Sequence, residues 1–372
     1  MKGIVLGRLN EEGCEGEALK FVFYVFILSS VAFYTFEVQS SVFLSRFFFA
    51  IKTAMLCLFV LGSFVFSANA KKYLLVGLLL GFLAFFASDK ILPYILFVML
   101  SLALSDRTHG FLEGIFCRAA VLVLCGCSVV ALSSFLGILE SKVFVNTLGY
   151  AQEERNSLGF YNPNPASLLL ISAVTIFFLY GRYWYFAISL VIFFIFSIWL
   201  FSRTYLLVGF LFPILFILRR WPFSIFFNAF SVVAILVVPI ISVILNEYRA
   251  FYVAGVDINA YLSNRLYVIS ESFSSSGGMS FFPNSKFLTV DPGLINLLGG
   301  GGLILYMVFA AILVSSIACR PGYQLSVLAF IYLLINFSEN IFSPYNLLSL
   351  AFLSLLFKKN CWCIRHEKNY GA

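Results

Sequence analysis

Charge is scarce in this chain. Only 11% of its 372 residues are charged, while 62% are hydrophobic, and that balance excludes an ordinary soluble globular domain. Strict apolar–polar alternation is also missing from the long runs, 186–200 among them, which excludes an outer-membrane-type β-barrel. No Asp-x-Asp pair is present, so a metal-held nucleotide-sugar donor is not expected. The first residues carry Glu11, Glu12, Glu15 and Glu17 where a cleavable signal needs positive charge. The first apolar run, 19–36, therefore reads as an uncleaved anchor. The net charge of +7 is spread over short loops and not gathered on one surface, so it does not signal nucleic-acid binding.

Cysteine is present but poorly placed for disulfides. Cys57, Cys117, Cys125 and Cys127 fall in or beside apolar runs, and Cys14, Cys319, Cys361 and Cys363 fall at ends expected in the reducing cytoplasm. Cys361, Cys363 and His366 lack a fourth ligand and a zinc-type spacing, so no metal site is expected.

What remains is apolar helix. A helix crossing about 30 Å of hydrocarbon needs roughly 17–25 residues, and open strands cannot satisfy their backbone groups in lipid. The expected spans are 19–36, 43–67, 72–88, 91–104, 115–137, 163–181, 183–201, 205–218, 223–245, 292–317, 323–337 and 345–357. The fold class is thus all-α, a polytopic integral membrane protein with about twelve (11–13) transmembrane helices. Residues 1–18 and 358–372 form tails around a single membrane domain, 19–357.

Lys and Arg sort between alternate breaks. The set holding Lys71–Lys72, Arg107, Arg182, Arg219–Arg220 and Lys358–Lys359 has a basic residue in every short break, which places it, and both termini, in the cytoplasm. The opposite set faces outward. It contains the two longest polar segments, 138–162 and 246–291, a size that usually marks function or disorder. It also contains Arg155, Arg203, Arg249 and Arg265, where the charge rule predicts few cations. Both histidines, His109 and His366, fall on the cytoplasmic side, which excludes an external histidine base.

Three stretches stand out on the outward side. Arg155-Asn156-Ser157-Leu158-Gly159-Phe160-Tyr161-Asn162-Pro163-Asn164-Pro165 runs straight into an apolar segment. Asn162 or Asn164 as a helix cap followed by Pro accounts for its end, and an interfacial aromatic belt accounts for Phe160 and Tyr161. The same aromatics beside Asn and Arg also suit a sugar. Ser202-Arg203-Thr204 is a very short turn, read either as a snorkelling arginine or as a cation fixed at phosphate depth. Leu262-Ser263-Asn264-Arg265-Leu266-Tyr267 has amphipathic helical spacing, and Asp291-Pro292 reads as another helix start. Gly299 to Gly302 lacks the remainder of a phosphate loop and points to close helix packing or a bend. Glu339 falls in a short outward break, where a carboxylate near lipid is notable but a helix-end role is also open.

The order of these stretches resembles the Wzy-type polymerases of bacterial O-antigen and capsular polysaccharide. The match runs over roughly residues 150–345: Arg-x-x-x-Gly-Phe-x-Asn-Pro-Asn, two helices, Ser-Arg-Thr, then Ser-x-Arg-Leu-Tyr and an Asp before a Gly-bearing helix. The first 140 residues add only helix number. The resemblance implies a GT-C-like architecture in the bacterial plasma (inner) membrane. It implies polymerisation of undecaprenyl-pyrophosphate-linked oligosaccharide at the outer face, without metal or cofactor. Membrane lipid, a chain-length regulator and a flippase of the same pathway would be its partners. The matching positions are Arg155, Gly159, Phe160, Asn162, Asn164, Arg203, Arg265 and Asp291. Arg203 and Arg265 are expected to stabilise the departing diphosphate, with Arg155 in support. Tyr161, Arg249 and Glu339 join the substrate-binding set, and the base is open among Asp291, Glu271 and Glu339. The chain departs from the pattern at Pro292-Gly293-Leu294, where relatives carry an aromatic. Three rivals stay open, one of them a non-catalytic membrane scaffold whose outward arginines contact headgroups. An O-antigen ligase would be expected to carry a histidine in 246–291, which has none. A flippase would place charges along a pathway inside its helices, and Lys52 is the main candidate there.

Overall fold

A computed structural model describes residues 14–36, 42–65, 92–148, 151–247, 252–253, 256–257, 265–291, 293–318, 322–341 and 346–358. The described chain is almost wholly helical. In order it forms α1 (Cys14–Phe36), α2 (Val42–Val65), α3 (Leu92–Ser105), α4 (His109–Phe135), β1 (Val143–Leu148) and β2 (Ala151–Asn156). There follow α5 (Pro163–Leu179), α6 (Tyr183–Leu200), α7 (Arg203–Leu218), α8 (Ser224–Glu247), β3 (Tyr252–Val253) and β4 (Val256–Asp257). The last helices are α9 (Arg265–Ser276), α10 (Gly293–Ala318), α11 (Tyr323–Asn336) and α12 (Leu347–Phe357). Each expected span except 72–88, which lies outside the described residues, is a helix. Among the described residues, six helices are long and apolar enough to cross a membrane, and four shorter apolar ones accompany them. The protein belongs to the polytopic helical membrane class.

The all-α expectation needs one correction. Within 138–162, β1 and β2 form an antiparallel hairpin with Phe144 opposite Arg155, and β3 pairs with β4 in the second polar segment. Outside lipid the backbone has water as well as helix to satisfy it, so strands are permitted there.

Three of the shorter helices lie deep in the bundle. The short helices α5, α11 and α12 are buried on nearly every side. The longer α6 keeps Ile188, Val191, Ile195 and Ile198 exposed, as a lipid-facing surface does. α5 packs against α4, α6, α7, α11 and α12 and so forms the centre. Its start is set by Asn162, whose side chain accepts from the Asn164 N–H at 2.9 Å, with Pro163 in the first turn. Asn346 caps α12 in the same way, accepting from the Leu348 N–H at 2.9 Å. Asn346→Ala removes that cap and is expected to cost about 1 kcal/mol, read as a lowered midpoint in thermal unfolding of the detergent-solubilised protein.

α10 is broken at Gly302 (φ 81°, ψ 163°), the bend anticipated from the four glycines. The segment 277–290 fills the break. Ser280 and Phe281 carbonyls accept from the Leu303 and Ile304 N–H groups at 2.9 and 3.2 Å, and Asn284 N–H donates to Gly300 at 3.0 Å. Phe287 packs directly on Gly299, where a Cβ would collide with its ring.

Contacts between loops separate the two ends of the bundle. At one end Arg182 pairs with Glu113 at 2.6 Å. There too Arg107 donates to the Ser63 carbonyl at 3.5 Å and Lys358 donates to the Arg107 carbonyl. The opposite end carries the starts of α5, α7, α9 and α10.

Candidate functional site

Arg265 is the hub of the opposite end. It begins α9, and its guanidinium faces two carboxylates. Nη2 lies 2.8 Å from Glu339 Oε1, and Nε lies 3.3 Å from Asp291 Oδ2. The side chains are 26%, 12% and 63% exposed for Arg265, Glu339 and Asp291, so the Glu339 side is desolvated and the Asp291 side is wet. The planar fork of arginine can serve two acceptors along separate directions.

Asn164 closes the group from the start of α5. Its amide Nδ2 reaches Glu339 Oε2 at 3.5 Å, and its Oδ1 accepts from the Ser202 hydroxyl at 3.0 Å. Thr204, on the far side of Arg203, accepts from the Ser338 hydroxyl at 2.9 Å. Arg203, the first residue of α7, is thus held by both neighbours against the residues that surround Glu339. Tyr205, fully buried, lies within electrostatic reach of Glu339, Arg265 and Asp291.

Burial pushes the Glu339 carboxyl above its ordinary value, and the Arg265 and Arg155 cations pull the other way without cancelling it. The group is a carboxyl held by a cation in a largely dry place, a usual setting for proton transfer.

Backbone strain marks the same region. Among the described residues the non-glycine residues with positive φ are Leu158 (50°) and Phe201 (38°). One precedes Gly159, and the other lies two residues before Arg203. Such conformations cost roughly 1–3 kcal/mol each and cluster where the surroundings enforce a particular geometry.

The predicted residues separate into three groups. Arg265, Glu339, Asp291 and Asn164 come together, with Arg155 near enough to act on the Glu339 charge. Asn162 and Gly159 are structural. Asn162 caps α5. Gly159 (φ 84°) sits so close to α4 that a Cβ would meet Val130 and Ser134 at 3.2–3.3 Å. Phe160 needs correction as a sugar platform: it is 2% exposed and packed in the core, because the turn at Leu158–Gly159 directs it inward. Tyr161, 45% exposed, is the aromatic that faces out. Arg249 lies outside the described residues.

Sequence reading missed Tyr34, Ser338 and Tyr205. Tyr34 in α1 takes the Tyr161 N–H on its carbonyl at 2.8 Å, so the first helices do more than add to the number of spans. A backbone carbonyl leaves no signature in a single sequence. Tyr205 follows Ser-Arg-Thr directly, and a polar ring next to that triplet was the available signal. No group of three or more metal-ligating side chains occurs among the described residues.

No known protein family, curated protein or solved structure matches this chain.

Proposed function

We propose that this protein polymerises undecaprenyl-pyrophosphate-linked oligosaccharide repeat units into a surface polysaccharide, O-antigen or capsule, at the outer face of the bacterial plasma membrane. The reading includes about twelve spans, a GT-C-like arrangement, both termini in the cytoplasm and no metal. The observation that carries it is the meeting of Arg265, Glu339 and Asn164 in one half-buried group, with Ser202 and Thr204 fastening the Arg203 turn beside it. Stretches picked out for their resemblance, though far apart in the chain, converge on one place.

The depth of that place supports a lipid-borne substrate. α11 has 14 residues and α12 has 11, so they extend roughly 21 and 16 Å at 1.5 Å per residue. Both fall short of the roughly 30 Å hydrocarbon, so this reading puts the turn at 337–341 in a recess open to the membrane boundary. A headgroup diphosphate can enter such a recess while its isoprenoid tail stays in the bilayer. The positive charges of Arg107, Arg182 and Lys358 at the other end support a cytoplasmic assignment for it.

The chemistry is group transfer. A sugar hydroxyl of one unit attacks the anomeric carbon of another. The new glycosidic bond forms as the bond to diphosphate breaks, and the diphosphate leaves with the electron pair. Arg203 and Arg265, with Arg155, supply guanidinium groups at the site of that growing charge. Transport is less well supported. Lys52, the charge a pathway would use, is 2% exposed and lies 3.5 Å over the Phe33 ring.

Deletion of the gene in its host tests the reading. The expected product is one repeat unit per lipid anchor in place of a ladder of chain lengths on a polysaccharide gel. Persistence of the ladder excludes polymerisation.

A further inference from the structure

We infer that Glu339 is the residue that takes the proton from the attacking sugar hydroxyl, and that Arg265 acts first as its positioning residue. The inference rests on the polymerase reading and decides among three carboxylates that sequence leaves equal. Glu271 is exposed on α9. Asp291 is 63% exposed and meets Arg265 at 3.3 Å. Water solvates both, so neither is set apart from an ordinary surface carboxylate. Glu339 is 12% exposed, and both of its oxygens face donors, Arg265 at 2.8 Å and Asn164 at 3.5 Å.

Its own turn and the start of α10 also fix its backbone. The Glu339 N–H donates to the Ile335 carbonyl at 2.8 Å, and its own carbonyl accepts from Gly293 at 3.3 Å and Ile341 at 3.1 Å. Gly293 suits this approach, since a Cβ there would meet the Asn336 side-chain oxygen and the Asn336 amide would have to turn. A carboxylate pinned by α5, α9, α10 and α11 keeps one geometry through turnover, as a proton acceptor must.

Charge supports the division of labour. Arg265 faces two carboxylates, so a diphosphate arriving there would meet two negative groups as well as one positive. Its first effect is to keep Glu339 ionised in a desolvated place. In the step, the hydroxyl O–H breaks and its proton passes to a Glu339 oxygen. The hydroxyl oxygen bonds the anomeric carbon, and the anomeric carbon–diphosphate bond breaks with its electrons on the departing diphosphate. Charge and atoms balance without a further reactant.

The test uses the purified full-length protein with a polyprenyl-diphosphate-linked oligosaccharide, following chain growth against pH. Glu339→Gln is expected to lower kcat about 100-fold with little change in KM. Asp291→Asn and Glu271→Gln are expected to lose less than about tenfold. Wild type and Asp291→Asn keep a rate that rises with pH through an acidic limb, and the residual rate of Glu339→Gln lacks it. Glu339→Asp keeps a carboxylate but shortens its reach, so Asp above Gln is expected. Gln equal to or above Asp reveals a structural role and overturns the inference. Glu339→Gln within tenfold of an active wild type also overturns it. A wild type that does not polymerise at all overturns the functional reading beneath it.

Discussion

Arg265→Ala is expected to reduce polymerisation roughly a thousand-fold, and Arg265→Lys nearly as much. The guanidinium works in two directions at once, from Nη2 to Glu339 and from Nε to Asp291. A lysine ammonium is a single point charge without the planar fork and cannot hold the Glu339 carboxylate in the same geometry. Loss of the cation has a second effect. Arg265 is the leading influence that holds the Glu339 carboxyl down against burial. Without it the carboxyl rises further, a smaller fraction is ionised near neutral pH, and the acidic limb of the rate moves to higher pH. Rate–pH profiles of wild type and both variants, at matched elution from size exclusion, measure this. Full activity with an unmoved limb in Arg265→Lys would remove the role. Stability runs the opposite way with pH. Because the folded-state carboxyl lies above its unfolded value, its contribution is fully present below the unfolded value. That contribution is lost as pH rises through the folded one, and Glu339→Gln removes this dependence.

Gly302→Ala is expected to be the most destabilising single-methyl change, at more than about 2 kcal/mol. The residue has φ 81° and ψ 163°, a region open essentially to glycine alone. An added Cβ would lie 2.5 Å from the Phe282 carbonyl carbon and 2.8 Å from the Phe281 oxygen. Those are backbone atoms, and they cannot swing aside as a side-chain tip can. The segment 277–290 would have to move off α10. Its hydrogen bonds to Leu303, Ile304 and Gly300 would then break. Gly300→Ala is the control. Its Cβ meets only Phe287 Cδ1, at an ordinary 3.9 Å, and alanine favours helix by roughly 1 kcal/mol over glycine. Thermal midpoints of the two variants in the same detergent decide the matter. Equal midpoints would show that the break at Gly302 does not depend on glycine.

These two residues show how unevenly the chain could be read. Gly302 belonged to a run already marked for packing or a bend, because four glycines in an apolar helix have few other uses. Its partner segment was read as part of an outer polar loop, since Ser280, Asn284 and Lys286 disguise a stretch whose main chain completes a helix. Arg265 was marked by the count of Lys and Arg in alternate breaks, which puts it in the set where few cations are expected. Glu339 was only one of three carboxylates, because its partners lie 74 and 175 residues away in sequence. Phe160 and Tyr161 were equal as aromatics. The left-handed turn at Leu158 and Gly159 buries one and exposes the other.

Sequence alone determined that the chain is a bundle of apolar helices, where those helices lie, and which cations need an explanation beyond topology. These follow from local quantities: run length, charge placement, a cap before a proline. Only the tertiary structure decided which helices are central. A helix apolar on all sides reads the same whether lipid or protein surrounds it, and here α5, α11 and α12 hold the middle. Only the tertiary structure joined Arg265 to Glu339, because a desolvated ion pair depends on the meeting of distant backbone segments, and no local pattern encodes that meeting.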